Sequence, residues 1–178
     1  FDLELSPGNW QPLSKDGNAI EWLTTCSTAA RAYFDTNGNS SNTYYISHAP
    51  QAPYLGVWAC GGVDSGCAYG YTEVYKRSKG AIDWFNIQYY NQGQGVYTTY
   101  DEIFIKGSHP IGIKTAVKEL NANGIPFDAI VVGKPKTTGD ASTGFVDGND
   151  LNNFVAKAKS QLGWNGGTMF WMWDPANP

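Results

Sequence analysis

The chain opens with Phe1-Asp2-Leu3-Glu4-Leu5, in which apolar and acidic residues alternate. On an extended strand successive side chains point to opposite faces, so Asp2 and Glu4 share one face and Phe1, Leu3 and Leu5 the other. With the apolar set packed against helices, both carboxylates turn into a sheet's interior. Burying two acids together is costly and usually serves a function. The same spacing also describes two solvated acids at a frayed terminus.

A second stretch, Ile82 to Asn91, puts Trp84, Asn86, Gln88 and Tyr90 on one side and Phe85, Ile87 and Tyr89 on the other. Near the end of the chain Met169, Trp171 and Trp173 alternate with Thr168, Phe170 and Met172. An indole floor with amides, a phenol and two acids on the walls suits a polar ligand with apolar faces, which describes a sugar. Gln88 and Asn91 have a second reading, as strand-end groups that satisfy loop backbone. Trp173 is packing or an outer subsite, and His48, beside Ser47, reads as a structural histidine.

The elements that must position these groups follow from periodicity. Phe1–Leu5 reads as a strand, Ala19–Phe34 as a helix, and Thr43–Ala49 as a second strand stopped by Pro50. Gln51 to Gly80 is glycine-rich and irregular. Ala81–Asn91 is a third strand, Pro110–Ala122 a helix closed by Gly124, and Phe127–Val132 a strand ended by Gly133-Lys134-Pro135. Asp150–Leu162 is a helix closed by Gly163, and Thr168–Trp173 the last strand. The alternation predicts an α/β fold of parallel β/α units in one domain, residues 1–178. Five strands make about half of an eight-stranded barrel, and 178 residues are short for a whole one, which typically needs about 250.

A net charge of -4 offers no basic footprint for nucleic acid. No apolar run is long enough to span a membrane. Aromatic residues make up 15% of the chain, including seven Trp and eleven Tyr, and such rings both fill cores and stack on sugar faces. Cys26, Cys60 and Cys67 lack zinc-site spacing, so neither a metal nor another cofactor is expected. Cys60 and Cys67 flank a glycine-rich loop short enough for a disulfide in an oxidising compartment, leaving Cys26 over. The sequon Asn39-Ser40-Ser41 and the Phe at position 1 fit a secreted, extracellular protein that has been processed.

Several of these segments together resemble family 18 glycoside hydrolases. That family carries D-x-x-D-x-D-x-E at the end of the fourth barrel strand, and Phe1-Asp2-Leu3-Glu4 resembles its last piece. Tyr45 to Pro53 resembles the fifth strand with its Ala-Pro-Gln turn, and Ile87-Gln88-Tyr89-Tyr90-Asn91 the sixth strand's Gln-x-Tyr-Asn. Gly133-Lys134-Pro135 with Gly144-Phe145-Val146 resembles the seventh strand and its loop, and Gly167 to Trp171 the eighth.

The resemblance implies the C-terminal portion, about strands four to eight, of a TIM-type barrel, with the N-terminal half missing or on a companion polypeptide. It also implies hydrolysis of β-1,4-linked N-acetylglucosamine, in chitin or chitooligosaccharides, by an endo-acting, retaining, substrate-assisted route. Glu4 would be the acid–base, Asp2 would orient the acetamido group, and Tyr90 would hydrogen-bond its carbonyl. Gln88 and Asn91 would line the sugar site and Trp171 would stack beneath the ring. The same scaffold also occurs as endo-β-N-acetylglucosaminidases of N-glycan chitobiose cores and as non-catalytic lectins for chitin or N-acetylglucosamine.

Overall fold

The computed structural model describes residue 2, residues 17–60 and residues 70–173. In chain order the regular elements are α1 (Gly17–Asn37), β1 (Ser47–His48), α2 (Gly70–Ser78), β2 (Trp84–Gln88), α3 (Val117–Ala122), β3 (Ile130–Pro135), α4 (Gly148–Leu162) and β4 (Thr168–Trp171). The strands form one sheet in the order β1-β2-β3-β4, every pair parallel. A helix lies between each strand and the next, as parallel pairing requires. The fold is therefore α/β, with the strand order of part of a β/α barrel. The Phe1–Leu5 strand, apart from Asp2, lies outside the described residues.

Side-chain alternation on β2 and β3 separates the two faces of the sheet. Phe85, Ile87 and Tyr89 of β2 and its extension, with Ile130 and Val132 of β3, are buried in the core shared with the helices. Leu23 of α1, Tyr71 and Val74 of α2, Leu120 of α3 and Leu151 of α4 complete that core. Each fully buried side chain of this size stabilises the fold by about 1.5–3 kcal/mol. Trp164, also fully buried, donates its indole N–H to the Ile130 carbonyl at 2.8 Å, so its one polar atom is satisfied. No helix among the described residues is long and apolar enough to cross a membrane.

Several boundaries differ from the sequence expectation, each for a visible reason. The strand expected over Thr43–Ala49 shrinks to β1, because the preceding backbone is claimed by side chains. Arg31 donates to the Tyr44 carbonyl at 2.9 Å, and the Ile46 N–H donates to the Asp83 carboxylate at 2.6 Å. The stretch from Gln51 to Gly80 holds α2 and two 3₁₀ turns, Ala52–Leu55 and Val57–Cys60. The expected Pro110–Ala122 helix is split into a 3₁₀ turn, Pro110–Gly112, and α3, with Lys114 between them at a φ of 67°. Phe127–Ala129 is another 3₁₀ turn, and β3 runs through Gly133-Lys134-Pro135, the residues expected to end it. Gly124 and Gly163 end α3 and α4 at φ of 101° and 73°, as their positions predict.

The Arg31–Asp83 pair ties three elements together. Arg31 sits on α1 and also donates to the Ala81 carbonyl at 3.2 Å, while Asp83 immediately precedes β2. Removing the carboxylate strands the Ile46 N–H and leaves a guanidinium that is less than a third exposed without its charged acceptor, though its two carbonyl acceptors remain. Asp83→Ala should therefore lower the unfolding free energy by about 1–3 kcal/mol, the range for a partly buried donor left without its charged acceptor. Urea denaturation measures it, and an unchanged midpoint would assign the pair no structural role.

Candidate functional site

Parallel strands deliver their C-terminal ends to one edge of the sheet, and the residues selected from the sequence gather there. An open cleft of about 180 Å³ is lined by Asp2, Gln88, Tyr90, Asn91 and Trp171. They come from the start of the chain, the end of β2 and the end of β4. Glu4 lies outside the described residues, and so do Cys67 and the Cys60 side chain, so the Cys60–Cys67 pairing falls there too.

Gln88 is the structural centre of the cleft. Its side chain is buried, and its amide nitrogen donates to the Ala49 carbonyl at 2.8 Å and to the Asp2 carboxylate at 3.3 Å. A primary amide has two N–H donors, so one ties β2 to the chain leaving β1 and the other holds Asp2. The backbone repeats the link, because the Gln88 N–H donates to the Pro50 carbonyl at 2.9 Å.

Tyr90 follows two residues later on the same face and is 4% exposed. Gly144 lies against its backbone: a Cβ there would sit 2.7 Å from the Tyr90 Cα and 3.0 Å from the Tyr89 carbonyl oxygen. At a φ of 89°, glycine is also the residue this turn requires.

Asn91 adopts the left-handed conformation, φ 63°, which asparagine tolerates better than most residues. Its amide oxygen accepts from the Ser142 N–H at 2.8 Å and the Ser142 hydroxyl at 2.9 Å, and its own N–H donates to the Thr143 carbonyl at 3.1 Å. Asn91 thus pins the loop after β3 to the end of β2. What it can offer a ligand is its amide NH₂.

Trp171 is 44% exposed at the end of β4, open to stacking. Its backbone carbonyl accepts from the Lys136 N–H at 2.6 Å, and the peptide that follows it is cis. Trp173 is 70% exposed and does not line the cleft.

His48 is buried among Tyr71 and Phe85, with its Nε2 3.0 Å from the Ser27 hydroxyl. The Ser27 proton goes to the Leu23 carbonyl at 2.7 Å, so His48 Nε2 carries the hydrogen and donates it. Burial pushes the imidazole pKa down to about 4. The ring is neutral and structural, in line with its sequence reading.

Sequence reasoning missed Lys134, whose side chain is fully buried on the helix face of β3. The signal was its two-residue spacing from Ile130 and Val132, which places it in the apolar row rather than at a strand end.

With a folded pKa near 4 against an unfolded value near 6.5, His48 binds fewer protons when folded. Its contribution to stability is full above pH 6.5 and is lost as the pH falls toward 4. His48→Gln, which keeps a donor for Ser27, should flatten that part of the acid limb in a Tm-against-pH series. The same slope in both proteins would show that another group controls it.

No protein-family model matches the chain, and no curated protein matches it. Solved structures do. A family 18 chitinase from Pseudoalteromonas aurantia superposes with a TM-score of 0.64 at 26% identity, over 97% of this chain and 54% of the other. The chitinase ChiC from Aspergillus fumigatus gives 0.58 at 21%, over 90% and 47%. A fungal endo-β-N-acetylglucosaminidase of glycosyl hydrolase family 18 gives 0.58 at 21%, over 92% and 47%. The chain therefore spans about half the length of these structures, and across that half it is a distant structural homologue of family 18 chitinases.

Proposed function

We propose that this chain carries the acid–base and sugar-floor part of an endo-acting glycosidase that hydrolyses β-1,4-linked N-acetylglucosamine in chitin or chitooligosaccharides. The observation that carries the reading is the convergence of Asp2, Gln88, Tyr90, Asn91 and Trp171 on one cleft, although they are separated by most of the chain. A carboxylate, amides, a phenol and an exposed indole are the groups that an N-acetylated sugar needs.

In the proposed reaction the substrate's own acetamido oxygen attacks the anomeric carbon, with retention of configuration. Glu4, two residues from Asp2, protonates the departing glycosidic oxygen and then takes a proton from the incoming water. Asp2, held by Gln88, orients the acetamido N–H and balances the positive charge of the cyclised intermediate. The Tyr90 hydroxyl donates to the acetamido oxygen, aligning it for attack. Trp171 stacks on the apolar face of the reacting ring.

The likeness to family 18 chitinases supports this assignment, and the half of their length that the chain spans sets the terms of its test. The reading calls for the first half of a barrel, as the same polypeptide or a companion chain, to pair along β4, where Phe170 and, just past its end, Met172 are 51% and 50% exposed. It also calls for a secreted protein, and the sequon residue Asn39 is exposed.

The decisive measurement is release of fluorophore from labelled chitooligosaccharides by the complete protein, with an N-glycan carrying a chitobiose core assayed in parallel. Glu4→Gln should cut kcat by about 10²–10⁴-fold, the usual contribution of a general acid–base, while leaving oligosaccharide affinity nearly unchanged. Trp171→Ala should mainly raise the dissociation constant. Tight binding with no turnover in the unmutated protein would overturn the enzyme in favour of a lectin, and cleavage of the N-glycan alone would move the substrate.

A further inference from the structure

A lysine side chain with no exposed surface is rare unless its ammonium is fully engaged. Lys134, on β3, donates from Nζ to the carbonyl of Tyr89 at 2.6 Å and to the carbonyl of Tyr97 at 2.8 Å. Neither acceptor belongs to a ladder partner of Lys134, which pairs with Phe170. Both lie on the segment that leaves β2, and Tyr97 has a left-handed φ of 57°, an uncommon conformation for a bulky residue.

The same segment is held from several further sides. The Tyr89 hydroxyl donates to the Thr115 carbonyl at 2.7 Å, and the Tyr97 hydroxyl bonds the Thr115 hydroxyl at 2.8 Å. The Tyr89 and Tyr97 rings meet edge to face at 5.0 Å. Gly144 packs closely against the Tyr89–Tyr90 peptide. Lys134 is thus one jaw of a clamp on the peptide from which the Tyr90 side chain enters the cleft.

We propose that Lys134 is a positioning residue: by gripping the Tyr89 and Tyr97 carbonyls from behind the sheet, it fixes the Tyr90 phenol where an acetamido group must be met. This rests on the glycosidase reading for the ligand, though not for the clamp. Lys134 touches no substrate, because it shares the helix-facing row with Ile130 and Val132 while the cleft lies on the other face. Burial pushes its pKa down to about 7, against a smaller opposing pull from Glu102. A neutral amine still has two N–H donors for its two carbonyls, so the grip survives loss of the charge.

A double-mutant cycle tests the proposal in the complete protein. Dissociation constants for tetra-N-acetylchitotetraose are measured by calorimetry in a Glu4→Gln background, which binds without turnover, alone and with K134M, Y90F or both. K134M should weaken binding about tenfold by displacing Tyr90, and should add almost nothing in the Y90F background. Losses that multiply, or an unaltered affinity in K134M, would overturn it.

Hydrogen exchange supplies an arm that needs no ligand. The Tyr89 and Asn91 amides lie beyond β2 and donate to the Gly133 and Thr143 carbonyls, bonds that a clamped segment keeps closed, so in the unmutated protein they should exchange as slowly as those of Phe85 and Ile87. In K134M they should exchange about tenfold faster or more, with α4 unaffected. Loop-like exchange in the unmutated protein would refute the clamp even if K134M fails to fold. Absence of chitotetraose binding in the Glu4→Gln background would refute the glycosidase reading, and the exchange arm would still judge the clamp.

Discussion

The site depends on the close approach of three parallel strands at Gly133. In the register of the sheet, Gly133 of β3 faces Gln88 of β2 on one side and Met169 of β4 on the other. A Cβ at this position would lie 2.6 Å from both the Ile87 carbonyl oxygen and the Met169 side chain. Any larger residue would push the strands apart at the level where Gln88 enters the cleft and two residues below Trp171. Since parallel strands all end on the same edge, this spacing determines how far the amides of β2 stand from the indole of β4.

The two faces of β2 separate an apolar core row from a polar row that lines the cleft. Phe85, Ile87 and Tyr89 give up their exposure to the helical layer and supply hydrophobic free energy. Gln88 and Tyr90 are just as buried but polar, so each must be matched by partners. For Gln88 those partners are the Ala49 carbonyl and the Asp2 carboxylate, which make it a strand-end anchor that also lines the cleft. The bond to Ala49 is what allows Gln88 to present its second hydrogen to Asp2 at a fixed place. Asn91 likewise commits its amide oxygen, to the Ser142 N–H and hydroxyl.

The sequence made some of this legible and hid the rest for physical reasons. Period-two alternation revealed the faces of β2, because one row is apolar and the other polar. Amphipathic spacing and the Gly163 stop revealed α4, whose left-handed Gly163 ends it as expected; its N-cap, Asp147 accepting from the Asn149 N–H, was not read. Helix α2 was obscured by the glycines around it, although Tyr71, Val74 and Ser78 have helical spacing and are buried. The long strand expected before Pro50 contracted because Arg31 and Asp83, 52 residues apart, take its backbone groups, a tertiary event that no local pattern encodes. Lys134 was misread because a charged residue between glycine and proline looks like a turn. Only the position of the Tyr89 and Tyr97 carbonyls turns it into a core residue.

Trp171 shows how an exposed residue can still be well placed. Strand β4 has a ladder neighbour on one side only among the described residues, and its side chains are largely exposed, so the packing that fixes β3 is missing around it. Its backbone is nonetheless held along its length, with Val132 to Pro135 opposite Thr168 to Trp171. The hold continues past the last paired residue through the bond from the Lys136 N–H to the Trp171 carbonyl. The indole therefore stands on a fixed Cα. In the proposed stacking role, it would give up about 0.5–1.5 kcal/mol of side-chain entropy when a ring covers it, and none of the larger cost of ordering backbone. Exposure at this position is consequently compatible with a defined cleft, whereas exposure of the Tyr90 backbone would not be, and the contacts of Lys134 and Gly144 fall on the peptide where order is needed.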